Sequence, residues 1–119
     1  MSLAFQIVKF RIDTTSSTQS YKDSMSFKFD RPIRWEEGTT RPTVDTAIRG
    51  FELQFVINGN PYEYVLGAEH VQLDVETSQG HSSGEVNLDV NLRPMAPQAA
   101  PAISFKGYVE ALVIADLID

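Results

Sequence analysis

Between Gly50 and Leu66 the chain reads GFELQFVINGNPYEYVL, with Phe51, Leu53, Phe55 and Ile57 at every second position and Glu52 and Gln54 between them. A period of two is that of a strand with one buried face. Asn58-Gly59 follows, a pair that favours a two-residue hairpin turn because both central positions need positive φ. Tyr62, Tyr64 and Leu66 then alternate with Glu63 and Val65. A turn at Asn58-Gly59 sets Phe55 opposite Tyr62, Leu53 opposite Tyr64 and Phe51 opposite Leu66, so turn and pattern agree on one register. Pro61 then faces Val56 and has no N–H to give a ladder. Tyr62–Leu66 is therefore expected as an edge strand, with Tyr62, Tyr64 and Leu66 as a surface for self-association.

The same alternation recurs along the chain. In residues 3–13, Phe5 and Ile7 share one parity while Val8, Phe10 and Ile12 share the other. That predicts a bulge at Ile7-Val8 or a strand buried on both faces. Met25, Phe27 and Phe29 alternate with Ser24, Ser26 and Lys28, Pro32 ends or edges that strand, and Ile33 and Trp35 keep its odd parity. Val71, Leu73 and Val75 match Val86, Leu88 and Val90 in a second hairpin that pairs Val75 with Val86. From Tyr108 to Ile114 both parities are apolar, as in a central strand covered on both faces. Helix is the rival there, because Val109, Leu112, Val113 and Asp116 sit at three-to-four spacing; the Ile, Val and aromatic density favours strand.

Polar or Pro/Gly-rich stretches separate these runs at 14–20, 36–42, 77–84 and 94–101. Seven to eight strands with little or no helix predict an all-β chain. The expected architecture is one antiparallel β-sandwich, jelly-roll-like, spanning 1–119 as a single domain. Arg49-Gly50-Phe51 and Lys106-Gly107-Tyr108 echo each other, each three residues ahead of an apolar triplet. The two glycines are read as equivalent bulges in two sheets, or as chance similarity between strands.

Composition narrows the function classes. An apolar fraction of 42% supports a core, and the absence of cysteine excludes disulfides and thiolate chemistry. The net charge of −6 is uneven. Residues 1–60 hold eight basic and seven acidic side chains, whereas 61–119 hold two and nine. Nucleic acid and anionic membrane need clustered Lys and Arg, so neither is an expected partner. The N-terminus has no basic region, and its apolar run is broken at Gln6 and Lys9, unlike a signal peptide. Ala111–Ala115 is far too short to span a bilayer. The chain is expected in the cytoplasm, or exported without a visible signal.

Few residues look chemical. Gly80-His81-Ser82-Ser83-Gly84 spells G-x-S-x-G, but a nucleophile elbow needs a following helix and a later histidine. Val86–Leu92 alternates as a strand, and His70 and His81 are the only histidines. No enzyme is expected. The outward side of the second hairpin is more distinctive, with Gln72, Asp74 and Glu76 beside Glu85, Asn87 and Asp89. Its register sets Glu76 against Glu85, and like charges in that position are unfavourable unless splayed or bridged. Carboxylates and amides of this kind suit sugar hydroxyls, or Ca²⁺ at Asp74, Glu76 and Glu85. Trp35, after the basic Arg31 and Arg34, adds a surface for ring stacking. The expected architecture resembles that of small oligomeric lectins, without a motif that transfers residue by residue. Two expectations follow. One is a non-enzymatic binding module for carbohydrate or protein, using Trp35 and the Gln72–Asn91 face. The other is a structural homo-oligomeric subunit with no small-molecule ligand.

Overall fold

The computed structural model describes residues 2–13, 20–39, 41–57, 60–62, 66–94 and 103–118. Among these there are strands and no helix: β1 (Ser2–Ile12), β2 (Ser20–Lys28), β3 (Val44–Ile57), β4 (Asn60–Tyr62), β5 (Leu66–Thr77), β6 (Ser83–Pro94) and β7 (Ile103–Leu117). They form two antiparallel sheets, ordered β1-β7-β3-β4 and β2-β6-β5. Each sheet is built on three long strands, and β4 adds a three-residue ladder to β3. The expected seven to eight strands thus reduce to six long ones: among the described residues of the edge strand expected over Tyr62–Leu66, Tyr62 pairs with β3 and Leu66 pairs in the other sheet.

Strand length sets the shape. The long strands run from 9 to 15 residues, and at ~3.3 Å per residue they account for a molecule of 55 × 23 × 19 Å. One apolar cluster takes residues from both sheets: Val8 and Phe10 of β1, Phe27 of β2, Phe55 of β3, Val86, Leu88 and Val90 of β6, and Phe105, Val109 and Val113 of β7. Phe27 meets Phe29 edge to face at 5.7 Å.

The two hairpin registers read from the alternation are present. Phe55 pairs with Tyr62 and Val56 with Pro61. Val75 pairs with Val86, Leu73 with Leu88 and Val71 with Val90. The expected Phe51–Leu66 pair is not formed, however. Phe51 pairs with Val109 of β7, and Leu66 pairs with Pro94 in the other sheet. The Asn58-Gly59 turn and Tyr64 lie outside the described residues. Of the four β3 residues expected on the buried face, Phe55 is buried, Leu53 half-buried and Phe51 48% exposed, and the Ile57 side chain lies outside the description. Phe51 stands on the β3 margin, where β4 no longer flanks the sheet.

β7 is a central strand, as its Ile/Val density predicts, but it is not covered on both faces. Val109, Ala111, Val113, Ala115 and Leu117 are buried, whereas Leu112 and Ile114 are half-exposed. β1 runs against β7 in unbroken register from Ser2 to Ile12, with no bulge at Ile7-Val8. Its second apolar parity simply faces outward. The two echoing glycines sit in adjacent strands of one sheet. Gly50 borders the register shift of β3, and Gly107 has φ 146 and lies against Glu52.

A strap of residues 29–43 joins the sheets at one end. Phe29 and Ile33 donate backbone N–H to the carbonyls of Ser82 and His81, at 2.8 and 2.9 Å. Arg34 N–H donates to Asp116 O at 2.7 Å, and Asp116 N–H donates to Thr43 O at 2.9 Å. Arg34 Nε also lies 3.3 Å from Asp116 Oδ2. These bonds carry the strap from the β5–β6 turn across to the end of β7.

Candidate functional site

The strap puts Trp35 beside the polar hairpin. Residues 36–41 turn back so that Trp35 bridges Pro42, and Glu36 N–H donates to Arg41 O at 2.8 Å. Gly38 takes φ 75 in that turn, a conformation that favours glycine. Thr39 closes the turn, its Oγ1 donating to Glu36 O at 2.9 Å, and the indole Nε1–H donates to Thr39 O at 3.0 Å. The indole is half-buried, and its one polar atom is satisfied within the turn. Glu36, Thr39 and Arg41 of the 36–42 stretch thus form a hydrogen-bonded clip.

Trp35 and Pro42 wall an open hollow of about 730 Å³ whose other lining includes Ser26, Glu76, Thr77, His81 and Glu85. Glu76 and Glu85 face each other across the β5–β6 ladder, and Ser26 of β2 stands next to Glu85. All three are exposed. Two carboxylates in that relation repel one another. They present acceptors on one side of the hollow, an aromatic ring on another, and hydroxyls and an imidazole at its rim. Such a site suits a ligand rich in hydroxyl donors with an apolar face.

The remaining polar-face residues fall elsewhere. Asp74, Asn87 and Asp89 line a second hollow of about 360 Å³ with Lys22, Asp23 and Ser24 of β2. Ser24 Oγ and Asn87 Oδ1 are 2.6 Å apart. Gln72 lines neither hollow; its Nε2 donates to Asp74 Oδ2 at 3.4 Å. The predicted set is therefore split, with Trp35, Glu76 and Glu85 in one place and Asp74, Asn87 and Asp89 in another. Sequence reasoning missed the contribution of β2. The alternation of Ser24, Ser26 and Lys28 marked a polar face, but which strand they neighbour is a long-range fact.

The residues of the calcium expectation divide between the two hollows, Glu76 and Glu85 in one and Asp74 in the other. Among the described residues no three His, Cys, Asp or Glu side chains converge. Of the expected interface residues, Tyr62 lies in β4, Leu66 begins β5 in the other sheet, and Tyr64 is outside the described residues.

The G-x-S-x-G string has a packing explanation. Gly80 takes φ 84 in the β5–β6 turn. A Cβ on Gly84 would strike Glu76 O and approach the Phe27 ring to 2.8 Å. Ser82 stands between two strands, and its carbonyl accepts from Phe29. Set against protein-family models, curated proteins and solved structures, the chain matches none of them.

Proposed function

We propose that the two sheets pack face to face as a jelly-roll-like sandwich, and that the chain is a non-enzymatic binding module for a polyhydroxylated ligand of the carbohydrate class. The observation that carries this reading is the meeting of Trp35 with the facing pair Glu76 and Glu85 around one open hollow. A saccharide lays its C–H face on an aromatic ring and donates hydroxyl protons to carboxylates. Hydrogen bonds to an ionised acceptor are roughly twice as strong as neutral ones. The opposed glutamates cost stability in the free protein, and hydroxyl donors placed between them relieve that cost. Hollows of this size accept one or two sugar rings rather than a long chain.

Trp35 is the chain's single tryptophan, so intrinsic fluorescence reports on the hollow directly. Glycan-array binding, followed by fluorescence titration with the captured saccharides, should give a saturable change that Trp35→Ala and Glu76→Gln each weaken at least about tenfold. An array with no binder above background counts against the carbohydrate class. Binding that survives both substitutions moves the site away from this hollow.

A further inference from the structure

The ionisable lining of the Trp35 hollow is one-sided. Glu76, Glu85 and His81 line it, and among the described residues no Lys or Arg does. Both glutamates are exposed, and among the described residues neither makes an ion pair within the chain. They face each other across the β5–β6 ladder, and Ser26 of β2 extends the same row beyond Glu85. Directly opposed residues hold their Cβ atoms about 5 Å apart, so two glutamate side chains in that relation can both reach one small cation between them. Residues 61–119, which hold both glutamates, carry two basic and nine acidic side chains, so the wider field also favours a positive ligand.

A metal ion is the first cation to weigh. Ca²⁺ takes about six to eight oxygen ligands, and among the described residues no three His, Cys, Asp or Glu side chains converge. An organic ammonium asks less of the protein, because its N–H donors need acceptors but no fixed coordination shell. Glu76 and Glu85 offer two charged acceptors and Ser26 a hydroxyl oxygen in the same row. Trp35 stands in the wall, and an indole face attracts both cations and C–H groups. We propose that the ligand of this hollow is an amino sugar, a saccharide whose ammonium lies between Glu76 and Glu85 while its ring stacks on Trp35. The inference rests on the carbohydrate reading above and adds to it the charge that the ligand carries. A neutral sugar relieves the opposed carboxylates through hydroxyl donors alone, whereas an ammonium also offsets their charge. An acidic sugar would bring a further negative charge to the same row.

Three disaccharides that share the cellulose backbone test this, since they differ only at C2, where one carries an amine, one an acetamide and one a hydroxyl. They are titrated by Trp35 fluorescence at about pH 6, above the usual carboxylate range and below that of amines. The amine should bind at least about tenfold tighter than the other two, and added salt should narrow the margin. The margin should vanish when Glu76→Gln and Glu85→Gln are combined, and should survive His81→Gln. An acetamide or hydroxyl disaccharide that binds as tightly as the amine overturns the proposal and leaves the carbohydrate reading standing. A margin that persists without both carboxylates, or that is lost with His81→Gln, overturns it as well. A simple alkyl diamine that matches the amino disaccharide would make the hollow a cation site with no use for a sugar ring, and overturns both. No saturable change with any of these ligands does the same.

Discussion

Trp35 bridges Pro42, and that bridge places the indole in the wall of the hollow that the facing pair Glu76 and Glu85 also lines. The turn belongs to a strap tied by backbone bonds to both the β5–β6 turn and the end of β7. The aromatic wall of the hollow is therefore positioned by main-chain hydrogen bonds rather than by its own side-chain packing. Trp35→Ala should cost no more than about 2 kcal/mol of stability, the loss expected from one half-buried side chain, while removing the ring from the hollow. Chemical denaturation compared with ligand titration separates the two effects. A variant that unfolds would mean the indole, and not the backbone, organises the strap.

The opposition of Glu76 and Glu85 makes a prediction of its own. Like charges directly across a ladder are destabilising by roughly 0.2–1 kcal/mol. Glu76→Gln or Glu85→Gln should raise the urea midpoint by a matching amount at low salt, and less at high salt. Neutralising one member should lower ligand affinity at the same time, the trade expected of a binding residue kept against stability. Unchanged or reduced stability in both variants would mean that the carboxylates are splayed into water and do not interact.

The two glycines of the sequence echo should behave differently. A side chain at Gly107 would collide with the Glu52 carbonyl oxygen, and the residue sits at φ 146, a conformation that L side chains rarely adopt. Gly107→Ala should destabilise by at least ~2 kcal/mol. Gly50 has no heavy atom within 4 Å of an added Cβ and no such backbone angle, so Gly50→Ala should stay within about 0.5 kcal/mol. Equal effects would restore the equivalence that the sequence suggests.

Tyr21 gives the chain an alkaline transition. Burial first, and then the hydrogen bond of its hydroxyl to Asp23 Oδ2 at 2.9 Å, push the phenol up to about 12. An unfolded tyrosine titrates near 10. Between these values the unfolded chain sheds a proton that the folded chain keeps. The contribution of Tyr21 is therefore complete below about pH 10 and is lost as pH rises toward about 12. Urea unfolding across that window should show a steeper decline for the unmodified chain than for Tyr21→Phe. Parallel pH dependences for the two proteins would rule this out.

Much of this protein was legible in the order of its residues because a strand's period is local. Val71, Leu73 and Val75 matched Val86, Leu88 and Val90 from pattern alone, and the three pairs of that face formed in the expected register. Phe55 found Tyr62 for the same reason. Period two states which residues share a face. It does not state whether that face is covered, and both errors of burial come from that gap. Leu3, Phe5 and Ile7 lie on one face of an unbroken strand, and Leu112 and Ile114 beside them, yet among the described residues no second layer lies over them. Phe51 keeps the parity of Phe55 but sits beyond the reach of β4.

The candidate site divides along the same line. Trp35, Glu76 and Glu85 could each be singled out by residue type, since an aromatic ring and opposed carboxylates are uncommon on a wet surface. That they share one hollow, while Asp74, Asn87 and Asp89 open on another, was decided by contacts between residues about 40 to 65 positions apart. The strap had to be tied to Ser82 and Asp116 before the indole had a place, and β2 had to pair with β6 before Ser24 and Ser26 joined the polar face. Alternation fixed the strands and two hairpin registers, because neighbours along a chain cannot escape the pleat. Only tertiary closure chose which edges stayed open and which side chains met, because those depend on where loops return the chain in space.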